Sequence, residues 1–208
     1  MALNRPMKPA MSRHFYPYAT LILIGLNVAM FCGELAQGGS QNLEILDNLG
    51  ALDPIAVIHQ GEWWRIMTAN FLHYGYAHLG VNLLGLGMIG TVVERDLGMG
   101  RFLCVYLGSG CGAMALMTVF LLAMQDDNRL VVGASAGIMG VFGGLGVLYF
   151  QLWQQLPSAW TRRRLYLFGS LAVFQFVLDS QMPDISVMSH AFGFALGIFL
   201  TVLLTRFT

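Results

Sequence analysis

Two polar residues interrupt apolar stretches of this chain: Ser135 within VVGASAGIMGVFGGLGVLYF and His190 within ISVMSHAFGFALGIFLTVLL. A serine hydroxyl becomes a nucleophile when an imidazole takes its proton, so this pair could perform acyl transfer. A second pair, His78 and Asn82, stands four residues apart and therefore on one face of a helix. Both side chains can donate hydrogen bonds, as a carbonyl oxygen gaining negative charge requires. Everything then depends on whether the surrounding elements bring the four residues together.

Composition sets the class of those elements. The chain has 208 residues, 56% hydrophobic and 11% charged, with a mean hydropathy of +0.64. A soluble domain carries about 25% charged residues. Long apolar runs follow one another, the pattern of an all-α polytopic membrane protein. Six spans are predicted: Tyr18–Cys32, His78–Val93, Phe102–Ala123, Ser135–Leu152, Leu165–Leu178 and Val187–Leu204. Pro54, Pro157 and Pro183 fall between them, where turn chemistry belongs. Asn27 within the first apolar run and Glu34 after it come without a small-residue cleavage pattern, so the run reads as a retained anchor. One membrane domain over residues 1–208, with a cytoplasmic tail of about 1–16, accounts for the chain. No basic stripe points to nucleic acid. Cys32, Cys104 and Cys111 match no metal or redox spacing and read as buried packing residues, and neither a metal nor a cofactor is expected.

Charge gives the orientation. With the N-terminus inside and six alternating spans, all of the 11 basic residues except Arg65 and Arg129 lie on the cytoplasmic side. That agrees with the positive-inside rule. With the short tails, it predicts a multi-pass plasma (inner) membrane protein with both termini cytoplasmic. His78 and Asn82 then sit in the outer half of the second span, Ser135 at the outer end of the fourth, and His190 one turn into the sixth. Ionisable and polar groups in hydrocarbon are costly and usually mark function. Their shared depth points to one site below the outer surface.

Glycines indicate close helix approach. His190, Gly193 and Gly197 share a face of the sixth span, and Gly137, Gly140, Gly143, Gly144 and Gly146 line the fourth. Such glycines also serve helix packing alone. No carboxylate lies within the fourth or sixth span; Asp179 and Asp184 stand near span ends and are expected in water. A Ser135–His190 dyad is therefore expected, with His190 taking the Ser135 proton and returning it to the leaving amine. The 14-residue fifth span, about 21 Å long, is too short for about 30 Å of hydrocarbon. A short span of this kind reads as a loose gate beside the second span.

These motifs together resemble the rhomboid family of intramembrane serine proteases. Gly133-Ala134-Ser135-Ala136 matches its GxSx, His190 with Gly193 and Gly197 its last-helix histidine and GxxxG, and His78-Leu79-Gly80-Val81-Asn82 its HxxxN. Trp64-Arg65 matches a tryptophan–arginine pair of the long first loop. The resemblance implies a six-transmembrane-helix rhomboid-like bundle and cleavage of single-span membrane protein substrates within the lipid bilayer. It also implies Ser135 as nucleophile, His190 as base, and His78, Asn82 and the Ser135 backbone as oxyanion donors. The loop Glu34–Ala77 would lie partly in the outer leaflet, with Trp63, Trp64, Phe71, Tyr74 and Tyr76 at the interface. Three positions depart from the family pattern: Ala136 for a glycine, Met139 for an aromatic that packs on the histidine, and Thr201 for a third small residue. His14, His59 and His73 match no essential role and read as loop residues.

Two other classes use some of the same residues. A pseudoprotease that binds membrane clients would share the fold, although such proteins usually lack the serine or histidine. A b-type haem subunit would use His78 and His190 as axial ligands, leaving Ser135 and Asn82 idle.

Overall fold

The computed structural model describes residues 15–126, 129–181 and 186–206. Arg5, Lys8, Arg13, His14, Pro183 and Asp184 lie outside the described residues. The long helices are α1 (Tyr18–Ala36), α5 (Gly75–Leu97), α6 (Met99–Met124), α7 (Ser135–Gln155), α8 (Ala159–Gln181) and α9 (Val187–Thr205). Three short helices fill the first loop: α2 (Leu43–Asn48), α3 (Pro54–His59) and α4 (Arg65–Thr68). Among the described residues the only β pairing is an isolated bridge between Leu52 and Val131.

Local chemistry explains the helix starts. Asn42 and Asp53 cap α2 and α3 by accepting from backbone amides, with Pro54 at the first turn of α3. Ser186 caps α9 by accepting from the Ser189 amide. For α1 the cap comes from a distant element. The Glu94 carboxylate near the end of α5 accepts from the Ala19 amide, the Thr20 amide and the Thr20 hydroxyl, at 2.9, 2.8 and 2.7 Å. A carboxylate at a helix N-terminus also meets the favourable end of the dipole.

Helix α7 is the centre of the bundle. Every residue from Ala136 to Val147 is buried, as expected of a helix apolar on all sides. Its glycines admit α9 at backbone distance. A methyl group on Gly193 would collide with Ala136, and one on Gly197 with Gly140; one on Gly144 would stand 2.6 Å from Thr201 Oγ1. These three contacts step by four residues along both helices, so α7 and α9 run parallel in fixed register. Helix α6 completes the layer through Ser109, which occupies the space above Gly140, and Tyr106, which packs on Gly137.

Among the described residues five helices, α1, α5, α6, α7 and α9, are long and apolar enough to cross a membrane. Helix α8 differs from the expectation of a short span. It has 23 residues, about 34 Å at 1.5 Å per residue. Arg162, Arg163 and Arg164 begin it and Asp179 lies near its end, so hydropathy alone recovers only its middle. It is nevertheless thinly attached, since Thr161 and Asp179 are its only buried residues. Phe168, Ala172 and Phe176 pack partly buried against the core, with Phe176 5.7 Å from the Phe194 ring of α9.

The cysteines also differ from expectation. Cys32 and Cys104 are exposed and Cys111 is half-buried. All three lie on membrane-length helices, where an apolar solvent removes the reason to bury a thiol.

Candidate active site

The segment before Ser135 is held by the first loop. Leu52 and Val131 exchange backbone hydrogen bonds of 2.9 and 3.1 Å, and the Gly133 amide donates to Ala69 O at 2.8 Å. That loop is in turn organised by Arg65, which is buried. Its guanidinium donates to Asp47 Oδ1, to the carbonyls of Asp47 and Ala51, and to Glu62 Oε2. Burial opposes the charge on Arg65, but Glu62 and Asp47 outweigh it and raise its pKa above the usual arginine value. Trp64 packs on Gly50 and lies under Arg65, with 5.1 Å between guanidinium and ring.

Gly133 has two reasons to be glycine. Its φ of +129° is in the region that disfavours side chains, and a Cβ there would stand 2.8 Å from both Cε1 and Nε2 of His78. The same Cβ would lie 3.5 Å from Ser135 Oγ. The His78 ring and the Ser135 hydroxyl therefore flank one small space. His78 Nδ1 accepts a 3.3 Å hydrogen bond from the Tyr74 amide. That assignment puts the ring proton on Nε2, the atom beside Gly133, where it serves as a donor.

Ser135 is the first residue of α7, and no side chain among the described residues caps that end. Ile138 is the first residue of the helix whose amide reaches a helix-end carbonyl, Ala134 O at 3.0 Å. The preceding amides belong to the orphan donors of a helix N-terminus. The Ser135 backbone amide thus stands beside its own hydroxyl oxygen. Asn82, one turn further along α5 than His78, is buried, and its Nδ2 has no hydrogen-bond partner among the described residues.

His190 reaches the same place from α9. Extending the α7–α9 register one turn outward from Gly193 and Ala136 puts His190 opposite Gly133. Its ring is within electrostatic reach of His78. Among the described residues no hydrogen bond joins His190 to Ser135 Oγ; the bond that His190 makes is to Asp179. Here the structure corrects the sequence reading. Asp179 is not in water: its side chain is 0% exposed, and Oδ2 lies 2.7 Å from His190 Nδ1. Gln175 Nε2 donates to the other oxygen, Oδ1, at 2.8 Å. The expectation failed because α8 continues past Leu178, and Asp179 extends the inward stripe of Phe168, Ala172 and Phe176 at helical spacing. A carboxylate acceptor places the ring proton on Nδ1 and leaves Nε2 with a lone pair, the form a general base needs.

His73 also departs from the expectation of an uninvolved loop residue. It is fully buried, its ring centroid is 5.3 Å from that of His78, and its amide donates to Glu34 Oε1 at 2.9 Å. Burial pushes its pKa down to about 3, and the neighbouring His78 adds to the effect. His59 is exposed at the end of α3. Of the three departures from the family pattern, Met139 and Thr201 are core residues, and the Ala136 backbone faces Gly193.

Comparison with known proteins gives the family. The sequence profile of the rhomboid domain matches residues 60–207. The chain belongs to the rhomboid family. It is 39% identical over 142 residues to rhomboid protease GluP of Bacillus subtilis (strain 168), covering 68% of this chain and 27% of GluP. It is 30% identical over 146 residues to the putative rhomboid protease YdcA of the same organism, covering 70% of this chain and 69% of YdcA. RHOMBOID-like protein 4 of Arabidopsis thaliana is 32% identical over 163 residues, 77% of this chain and 39% of the relative. The chain thus spans well under two thirds of the length of GluP and of RHOMBOID-like protein 4. The rhomboid match encloses Trp64, Arg65, His78, Asn82, Ser135, Asp179 and His190.

Proposed function

We propose that this rhomboid is an intramembrane serine endopeptidase that cleaves membrane-spanning segments near the outer face of the bilayer. The observation that carries the reading is the convergence on Gly133. A helix N-terminus presents Ser135 and His78 flanks the same small space; the α7–α9 register puts a base-form His190 opposite Gly133, and Asn82 stands one turn from His78 on α5. Ser135 Oγ attacks the scissile carbonyl carbon and its proton passes to His190 Nε2. The carbonyl oxygen becomes an anion held by His78 Nε2–H, Asn82 Nδ2–H and the Ser135 amide. Collapse of the intermediate breaks the C–N bond, and His190 returns the proton to the leaving amine. Water, deprotonated by His190, then releases the acyl group from Ser135.

The same reading makes α8 the sixth crossing helix, with Arg162, Arg163 and Arg164 at the cytoplasmic boundary and both termini on the cytoplasmic side of the plasma (inner) membrane. Substrates are single-span membrane proteins that approach laterally from lipid. The thin attachment of α8 favours the side between α8 and α5 as the route, in place of the short-span argument. The reading is tested in liposomes with single-span substrates. Cleavage by the parent and none by Ser135→Ala supports it. A pseudoprotease would bind the same substrates without cleaving them.

A further inference from the structure

The role of Asp179 is not explained by a serine–histidine pair alone. It is a carboxylate on a helix with only one other buried residue, Thr161, and its side chain has no exposed surface. Placing a carboxylate there is costly unless its oxygens are occupied. Both are: Oδ2 by His190 Nδ1 at 2.7 Å and Oδ1 by Gln175 Nε2 at 2.8 Å. The position four residues after Ser135 is Met139, a side chain with no ring to stack on the imidazole.

We propose that Asp179 is a positioning residue that converts the serine–histidine pair into a triad, with Gln175 aiming the carboxylate. Resting on the protease reading above, the proposal assigns α8 a direct part in the chemistry. Asp179 holds the proton on His190 Nδ1, orients the ring toward Ser135, and compensates the imidazolium that forms when Nε2 takes the serine proton. Gln175 donates to Oδ1 and leaves Oδ2 for the imidazole. The base is in its working form only while the outer end of α8 is seated on α9.

The Gln175 contact makes the test directional. In Asp179→Asn, Gln175 Nε2 needs an acceptor and holds the new amide oxygen. The amide Nδ2–H₂ then faces His190 Nδ1 and forces the ring proton to Nε2, where the ring cannot accept from Ser135. Wrong-tautomer substitution in a soluble triad costs about 10⁴-fold in kcat. Asp179→Asn is therefore expected to lower kcat by about 10²- to 10⁴-fold, with KM within a few-fold of the parent. Adding Gln175→Glu reverses the amide, because a carboxylate at 175 accepts from Nδ2–H and turns Oδ1 toward His190. The double variant is expected to regain at least about tenfold over Asp179→Asn, a rescue that a merely structural role would not produce.

The assays are cleavage of a single-span substrate in liposomes and the rate of fluorophosphonate labelling at Ser135, with folding followed by circular dichroism. A kcat of Asp179→Asn within about threefold of the parent overturns the proposal, as does a folded double variant that is no faster than Asp179→Asn. Should Asp179→Asn unfold, Gln175→Leu replaces it: kcat is expected to fall about tenfold with KM retained, and parental kcat would overturn the proposal. A parent that neither cleaves nor labels refutes the protease reading, and the triad with it; an active parent with an equally active Asp179→Asn refutes the triad alone.

Discussion

Adding one methyl group at Gly193 should separate His190 from Ser135. An ideal Cβ there would lie 2.9 Å from the Ala136 carbonyl carbon, 3.1 Å from its Cα, and closer still to its oxygen. Those atoms are backbone and cannot rotate away. Ordinary contact would need α9 to move from α7 by roughly 1 Å, given optimal carbon separations of about 3.5–4.0 Å. Overpacking of this kind costs about 1–3 kcal/mol in stability. Its effect on catalysis is larger in kind, because His190 sits one turn from Gly193 and Ser135 is bonded to Ala136. A misplacement of about 1 Å can cost about 10²-fold in rate. Gly193→Ala is therefore expected to lower kcat by about 10²-fold while the protein remains folded. Gly87→Ala on α5, where a Cβ meets nothing within 4 Å, is the matched control and should keep parental kcat. The assay is cleavage in liposomes beside thermal unfolding in detergent. Parental kcat in Gly193→Ala would refute the claim that close α7–α9 approach sets the distance between Ser135 and His190.

Asn82→Ala removes the unpartnered donor of α5 and should lower kcat by about 10²–10³-fold with little change in KM; unchanged kcat in a folded variant would remove Asn82 from the oxyanion site. Arg65→Ala leaves the Asp47 and Ala51 carbonyls without their donor and should cost about 1–3 kcal/mol, read as a lower unfolding midpoint; an unchanged midpoint would contradict its organising role. His73 is held neutral in the folded protein down to about pH 3, whereas the unfolded chain protonates near 6.5. The unfolded state therefore binds more protons in that window, so this contribution is complete above pH 6.5 and declines as pH falls toward 3. His73→Phe should flatten the acid limb of the stability profile, and an unaltered limb would show that His73 does not carry it.

Much of the candidate site was legible because lipid imposes a strong rule. A serine or histidine inside an apolar run stands out, and span order places it at a depth. Glycine spacing on the fourth and sixth spans pointed to the contact that the structure draws between Gly193 and Ala136, and Gly197 and Gly140. The same rule concealed Asp179. Hydropathy ends the fifth span at Leu178 and reads the next carboxylate as a signal for water, yet the helix runs on to Gln181 and turns Asp179 onto its inner face. The stripe Phe168, Ala172, Phe176, Asp179 carried that information, and Gln175 four residues before Asp179 carried the partner. His73 was hidden for a different reason: its burial comes from tertiary contact with α1 and α5, which no local pattern encodes. Nor does composition reveal that Glu94 caps α1, since 74 residues separate it from Thr20.

The central claim is that Ser135 is a nucleophile activated by His190. The most direct measurement is to treat the protein in liposomes with a fluorophosphonate and map the adduct by mass spectrometry. The account predicts one adduct on Ser135, formed by the parent and almost absent from folded His190→Ala. An adduct on another residue, or labelling of Ser135 at the parental rate in His190→Ala, would contradict it.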